Sequence, residues 1–170
     1  TPTLSSAASD VYKRQGYCIG GGLATALSAD LRFATPDSRF GIPAAKLGLG
    51  YEYEGLAKLA RLVGPSRARD IMFSARFMPA SEALSMGLIN FIEERDHIEE
   101  ACVAYAKTIA SNAPLTVKAA KAAINAWERG SRNDEVDAVR AMVDACFDSE
   151  DYREGRRAFA AKRTPEFKNR

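Results

Sequence analysis

Three consecutive glycines, at residues 20–22 of the stretch GYCIGGGLATALSAD, constrain this chain more than any other feature. Leu23, Leu27 and Leu31 follow at helical spacing and predict a helix that starts at the glycine run. A glycine inside a helix costs about 1 kcal/mol relative to alanine. The run therefore predicts either a sharp bend or a group that approaches the backbone closely.

The start of a helix can bind a negative group, because its first N–H groups lack partners and its dipole is positive there. A phosphate and a carbonyl oxygen that becomes negative during a reaction both fit this description. The phosphate-binding glycine motifs are absent, since no Lys-Ser or Lys-Thr pair follows Gly22. The run alone favours an oxyanion site over a phosphate site and leaves close helix packing open as the alternative without a ligand.

The composition argues against several classes of protein. A net charge of +2 over 170 residues gives no basic footprint for nucleic acid, and no apolar run is long enough to span a bilayer. Cys18, Cys102 and Cys146 lie far apart among apolar residues, which argues against a disulfide framework and against a zinc site. We expect a cytoplasmic protein with reduced cysteines, no metal, and no nucleic-acid or membrane partner.

The sequence pattern divides the chain into three parts. Residues 1–15 are polar, show no helical or strand period, and predict either a disordered tail or a junction where upstream sequence is lost. Residues 16–95 predict a mixed α/β region and residues 96–170 predict helices only, with proline and glycine marking many of the ends. The predicted strands are 30–35, 38–43 and 88–94, and the predicted helices after the first are 54–64, 66–75, 80–87, 97–112, 114–130, 133–149 and 150–163.

Four stretches carry a family resemblance that covers residues 16–170. In chain order they are GYCIGGGLATALSADLRFAT, SRFGIPAAKLGLGYEYEGLAKLARLVG, ASEALSMGLIN and REGRRAFAAKRTPEF. Their order and spacing resemble the enoyl-CoA hydratase/isomerase (crotonase) superfamily. The resemblance implies an α/β fold, a crotonase-like spiral of ββα turns truncated at the N-terminus, followed by a C-terminal helical trimerisation region.

The resemblance also implies the substrate class and the partners. These are an acyl-CoA thioester and further copies of the chain, as a trimer or a dimer of trimers, with no cofactor because coenzyme A is part of the substrate. Family members carry an N-terminal half that supplies a second oxyanion donor and part of the CoA pocket. Here a short polar stretch ends at Gln15 instead, so we expect a truncated or misjoined chain that is less stable than a complete family domain.

The resemblance assigns the glycine run to the oxyanion hole. The N–H group of Gly21 would hold the thioester oxygen while an enolate forms. Gly20 and Gly22 would bind the substrate by letting it approach the backbone.

The residues on which hydration depends in this family are replaced in this sequence. Hydratases that it resembles use two glutamates, and the corresponding positions here are Ala24 and Ala44, the latter directly after Pro43. Alanine cannot transfer a proton, so a conventional hydratase mechanism is not the leading prediction. Ala24, Pro43 and Ala44 are instead predicted to line the substrate site.

Two other side chains, Tyr51 and Glu52, are the catalytic candidates. Glu52 falls where some family isomerases and dehalogenases place a single functional carboxylate, which would suffice to move a double bond from the 3 to the 2 position. Its alternative role is to cap the helix that begins near Glu54. Tyr51 resembles a tyrosine of family decarboxylases that act on malonyl-type CoA esters, and its alternative role is packing at a turn.

These candidates leave four functions open. A single-carboxylate isomerase is the leading prediction, followed by a decarboxylase, a conventional hydratase and an acyl-CoA-binding subunit without activity. The remaining residues singled out are Lys162 for binding CoA, Phe159 and Phe167 as anchors of the last helix, Trp127 for the core or a subunit interface, and His97 as a solvated residue.

Overall fold

Short parallel strands build the first of two sheets in the computed structural model, which describes residues 11–170. In this sheet β1 (Val11–Arg14) and β6 (Phe91–Ile92) lie on either side of β3 (Leu31–Ala34), and both pair with it in parallel. Parallel strands cannot be joined by a tight turn, so each connection must carry the chain away and back.

The chain enters the second sheet directly after β1 and again after β3. β2 (Tyr17–Ile19) pairs in parallel with β4 (Arg39–Gly41), and β5 (Met78–Pro79) pairs antiparallel with β4. The helix α1 (Gly21–Ala26) follows β2 and leads back to the first sheet. One strand in each sheet followed by a helix is a ββα turn, and the predicted crotonase-like spiral is confirmed.

Two of the strand predictions need correction. No strand is expected within residues 1–15, yet Val11–Arg14 pairs residue by residue with Leu31–Ala34. Pairing with a buried neighbour decides strand formation here, and the local pattern does not reveal it. The strand expected over 88–94 covers only Phe91–Ile92. Leu88 and Ile89 precede this strand and are buried in the core without belonging to it. Residues 1–10 lie outside the described part of the chain.

Three α-helices lie between β4 and β6 along the chain, and proline and glycine mark their ends as expected. α2 (Tyr53–Val63) ends at Gly64, whose φ of 81° lies in the left-handed region, and α3 (Pro65–Ser74) begins at once with proline in its first turn. α4 (Ala80–Ser85) begins after Pro79. The predicted helices over 54–64, 66–75 and 80–87 are therefore confirmed, with small differences at the ends.

The core of this region is formed by apolar side chains from both sheets and from α1 to α4. Gly41 in β4 shows how tightly it is packed, since a Cβ at Gly41 would lie 2.7 Å from the carbonyl oxygen of Arg76. No real Cβ fits at that distance, so this strand position requires glycine. The most deeply buried members are Cys18, Leu23, Phe40, Ile42, Leu59, Ile71, Met78 and Leu88.

The structure divides into two compact units between Ala104 and Tyr105, within the helix α5 (Ile98–Ala110). The second unit, Tyr105–Arg170, continues with α6 (Pro114–Glu128), α7 (Asn133–Asp148) and α8 (Glu150–Ala160). Helices alone after residue 96, as predicted, are confirmed for the described residues. The division at residues 15 and 95 stays a prediction.

Two aromatic side chains of the second unit are not buried in it. Trp127 is 68% exposed and Phe159 is 88% exposed, so Trp127 is not a core residue and Phe159 is not an anchor. Each directly follows a buried alanine, Ala126 or Ala158, and consecutive helical residues point about 100° apart. Phe167, by contrast, is partly buried against α8.

Within residues 11–170, no helix has both the length and the apolar character needed to cross a bilayer.

Candidate active site at the carboxyl ends of β2 and β4

The glycine run lies at one edge of the second sheet. β2 and β4 are parallel, with Cys18 opposite Phe40 and Ile19 opposite Gly41, so the chain leaves both strands at the same edge. There the N–H of Gly20 donates to the carbonyl oxygen of Gly41 over 2.9 Å. This hydrogen bond ties the start of α1 to the end of β4.

Gly20 turns the chain from the strand into the helix. Its φ of 54° and ψ of −120° suit glycine, and no side chain caps the helix. A Cβ built at Gly20 or Gly21 would meet no atom within 4 Å, and Gly21 is exposed. As the first residue of α1, Gly21 has no acceptor for its N–H in its own helix. Gly21 thus has open space at its side-chain position and an N–H without a helical partner, as an oxyanion donor requires.

Ala24 and Ala44 lie on the two segments that leave this edge. Ala24 is exposed on α1, and its N–H donates to the carbonyl oxygen of Gly20 over 3.0 Å. Ala44 is buried in a 3₁₀ helix (Pro43–Leu47), so Pro43 starts a helical turn and does not merely close an extended segment. Neither alanine can accept or donate a proton.

Glu52 occupies the position before the first residue of α2. Its backbone is extended, with φ −66° and ψ 143°, and its side chain is exposed and makes no capping hydrogen bond. The backbone carbonyl of Glu52 accepts the N–H of Leu56 over 3.2 Å. Glu52 therefore takes the position of a cap without the side-chain hydrogen bond of a cap.

Tyr51 is packed more firmly than Glu52. It is half-buried against the core, and a Cβ at Gly55 would come within 3.2 Å of its Cε1 atom. Gly55 thus gives the ring room to lie on the first turn of α2. Burial raises the pKa of the Tyr51 phenol above its ordinary value, so the phenol stays protonated at neutral pH and can donate a hydrogen bond.

Gly22 follows Gly21 in α1, and a Cβ there would come within 3.3 Å of the Arg14 side chain. Lys162 and His97 are the remaining predicted residues. Lys162 belongs to the second unit, is exposed, and adopts a left-handed backbone with φ 49° just after α8. His97 is exposed, as expected. Among the described residues, no group of three or more His, Cys, Asp or Glu side chains is arranged to hold a metal ion.

The prediction from sequence missed one part of this edge, namely Gly41. Its carbonyl oxygen fixes Gly20, and its missing side chain admits the backbone of Arg76. A glycine inside the short extended segment SRFGIP was the available signal, because glycine in a strand often marks a close backbone approach.

The spiral of ββα turns, with an open glycine-built helix start at a sheet edge, is the architecture of a crotonase-type protein. The family model for enoyl-CoA hydratase/isomerase matches residues 11–170, and the chain belongs to this family.

Relatives in sequence and in structure agree with this assignment. The chain is 39% identical over 159 residues to a short-chain-enoyl-CoA hydratase of Clostridium acetobutylicum, covering 91% of this chain and 60% of that protein. It is 34% identical to a crotonyl-CoA hydratase of Syntrophomonas wolfei, covering 89% of this chain and 58% of that protein. A crystal structure described as an enoyl-CoA hydratase/carnithine racemase from Magnetospirillum magneticum superposes with a TM-score of 0.83 at 35% identity, over 94% of this chain and 59% of that one. The chain thus spans about 60% of the length of these relatives.

Proposed function

We propose that the chain is an acyl-CoA enzyme that stabilises a thioester enolate at the N–H of Gly21. The observation that carries this proposal is the start of α1, where no atom lies within 4 Å of the Cβ position of Gly21 and Gly20 is fixed to Gly41. A preorganised N–H donor aimed at a developing negative oxygen lowers the reaction barrier. The proposed chemistry requires no metal or organic cofactor, since coenzyme A arrives with the substrate.

We further propose double-bond isomerisation as the reaction. The carboxylate of Glu52 removes a proton from C2 of a 3-enoyl thioester, and the electron pair moves onto the thioester oxygen to give a dienolate. The protonated Glu52 then returns the proton to C4, and the double bond ends between C2 and C3. One carboxylate serves both transfers, so the number of protons is balanced.

The alanines at positions 24 and 44 favour isomerisation over hydration. Hydration adds water across the double bond and needs one group to activate the water and another to protonate carbon. Ala24 and Ala44 supply neither group, whereas Glu52 carries a carboxylate that no capping hydrogen bond engages. The relatives named above as hydratases make hydration the reaction to be tested alongside isomerisation.

The test compares two variants, Glu52→Gln and Glu54→Gln. Glu54 is an exposed glutamate two residues further along the chain. Conversion of a 3-enoyl-CoA to the conjugated 2-enoyl-CoA is followed by absorbance with the purified chain. Loss of a general acid–base group lowers rates by about 10²- to 10⁴-fold, so we expect Glu52→Gln to lose that much and Glu54→Gln to retain activity. Equal activity of the two variants would contradict the role of Glu52.

Tyr51 supports a second candidate function, decarboxylation of a malonyl-type CoA ester. Its phenol is half-buried and protonated, so it can orient a carboxylate while Gly21 receives the electrons left by CO₂. This function would be favoured if the chain releases CO₂ from such an ester and shows no isomerase activity. The release of CO₂ should then be lost in Tyr51→Phe. Binding of acyl-CoA without turnover or α-proton exchange would indicate a non-catalytic subunit.

Two further properties are proposed for the whole protein. The exposed aromatic side chains of the helical unit, such as Trp127 and Phe159, support assembly into a homo-oligomer, which we propose is a trimer. Cys18, Cys102 and Cys146 are free, which supports a reducing compartment such as the cytoplasm.

A further inference from the structure

A buried carboxylate near the start of α8 binds the end of the chain. Ser149 caps this helix by accepting the N–H of Tyr152, and Asp151 in the first turn is only 2% exposed. The carboxylate of Asp151 accepts the backbone N–H groups of Lys168 over 2.6 Å and of Asn169 over 2.9 Å. A buried carboxylate is costly without such partners.

The backbone of Asp151 and Asn169 completes this attachment. The N–H of Asp151 donates to the carbonyl oxygen of Arg170 over 3.0 Å. Asn169 has a φ of 60°, a conformation that lets successive N–H groups converge on one anion. Asp151 therefore makes three hydrogen bonds to the last three residues.

A second carboxylate holds the other end of the same segment. Glu154, one turn along α8, accepts from the Arg163 guanidinium with both oxygens, over 2.5 Å and 3.0 Å. It also accepts the N–H of Glu166 over 3.1 Å. We name residues 164–170 the C-terminal strap, since Asp151 and Glu154 attach it to α8 near both of its ends.

Between these attachments Phe167 contacts α8 directly. A Cβ at Gly155 would lie 3.6 Å from Cε1 of Phe167, so the ring rests against a helix position that has no side chain. Phe167 also lines an apolar groove of about 640 Å³ between α6, α7 and α8, together with Leu115, Val143 and Phe147. The docked strap therefore supplies part of the wall of this groove.

We propose that the C-terminal strap is a releasable latch, and that Asp151 and Glu154 determine whether it is docked. The strap forms no helix or strand, and one apolar side chain, Phe167, anchors it between two polar attachments. Segments with few buried apolar contacts open at a small fraction of the free energy of global unfolding. Release withdraws Phe167 from the groove and leaves the apolar face of α8 open. This inference does not depend on the proposed enzymatic function.

Limited trypsin digestion tests the latch, because Arg163 and Lys168 are cleavage sites at its two ends. Asp151→Asn keeps the shape of the side chain but places an amide against a backbone N–H donor. Since hydrogen bonds to charged groups are the stronger ones, we expect cleavage at Arg163 and Lys168 to be about tenfold faster or more. Glu150→Gln is the matched control, because Glu150 is the exposed neighbour of Asp151 and pairs with Arg153 instead.

The outcomes of this digestion are distinct. Equal cleavage of Asp151→Asn and Glu150→Gln would overturn the latch. Binding of an apolar fluorescent dye reports whether release of Phe167 opens the groove. Faster cleavage at the strap without increased dye binding would overturn that part of the proposal. If Asp151→Asn loses its helical circular dichroism, Phe167→Ala decides, because it retains both carboxylates. Faster strap cleavage in Phe167→Ala would support the latch, and an unchanged rate would overturn it.

Discussion

At the scale of single residues, the candidate site depends on where side chains are missing. Gly20 adopts a turn that other residues rarely adopt, Gly21 leaves open space where a side chain would stand, and Gly41 admits a neighbouring backbone. The two alanines remove the acid–base groups that hydration requires. In the proposed function, Glu52 and Tyr51 are the residues that would decide the reaction.

A comparison of Gly21→Pro with Gly21→Ala isolates the effect of the N–H group at this position. Proline suits the first residue of a helix and removes the N–H, whereas alanine retains it and would meet no atom within 4 Å. Loss of one oxyanion donor costs about 3 kcal/mol, or about 10²-fold in kcat. In the 3-enoyl-CoA assay of the proposed function, we therefore expect Gly21→Pro to lose this much activity and Gly21→Ala to keep most of it.

Thermal unfolding monitors the fold of both Gly21 variants. Similar midpoints with different kcat values are the expected combination. If Gly21→Pro turned over as fast as Gly21→Ala, the N–H of Gly21 would not be an oxyanion donor.

At the scale of elements, the sequence predicts helices better than strands. Gly64 and Pro65 locate one boundary because each has a backbone conformation of its own. Strand β1 is held by its pairing with β3, a long-range property that residues 11–14 do not encode. Asp151 and Glu154 look like ordinary acidic residues of an exposed helix, and only the returning chain gives them partners. The helix starts at Gly21 and just after Glu52 were predictable from the sequence, but the Gly20–Gly41 hydrogen bond was not.

The attachment of the strap at Glu154 predicts a particular response to acid. The Arg163 guanidinium, then the N–H of Glu166 and the nearby Arg157, lower the pKa of Glu154 to about 2 from its ordinary 4.5. Because the pKa is lower in the folded state, Glu154 stabilises the docked strap above its ordinary pKa. This contribution is lost as the pH falls through about 2.

A carboxyl-carbon NMR titration measures this pKa directly. We expect Glu154 to titrate near 2, and Arg163→Gln to move its midpoint upward towards the ordinary value. Arg153→Gln is the matched control, because Arg153 pairs with Glu150 and not with Glu154, and it should leave the Glu154 midpoint unchanged. A Glu154 midpoint that does not change in Arg163→Gln would contradict the ion pair.

At the scale of the whole molecule, the helical unit exposes large apolar side chains. Trp127, Phe147 and Phe159 are each more than half exposed. Large exposed apolar patches usually mark surfaces that contact another molecule. This is the observation that supports self-association.

Sedimentation velocity of Phe159→Ser tests self-association. We expect the unsubstituted chain to sediment as a species larger than its 18.5 kDa monomer, and Phe159→Ser to shift towards the monomer at equal concentration. Ala160→Ser is the matched control, because Ala160 is the next residue on the same helix and is also exposed. The same mass distribution for both variants would exclude Phe159 from the contact.

The hydrogen bond between Gly20 and Gly41 has a consequence for how new activities arise in such a protein. It fixes the donor helix before the chain enters residues 42–52, where Ala44, Tyr51 and Glu52 lie. If Gly21 is the oxyanion donor proposed above, mutations in that segment would exchange one proton-transfer group for another while the donor keeps its place. Inheritance would then retain the difficult part of the proposed catalyst, the stabilised enolate, and let selection act on the fate of that enolate one substitution at a time.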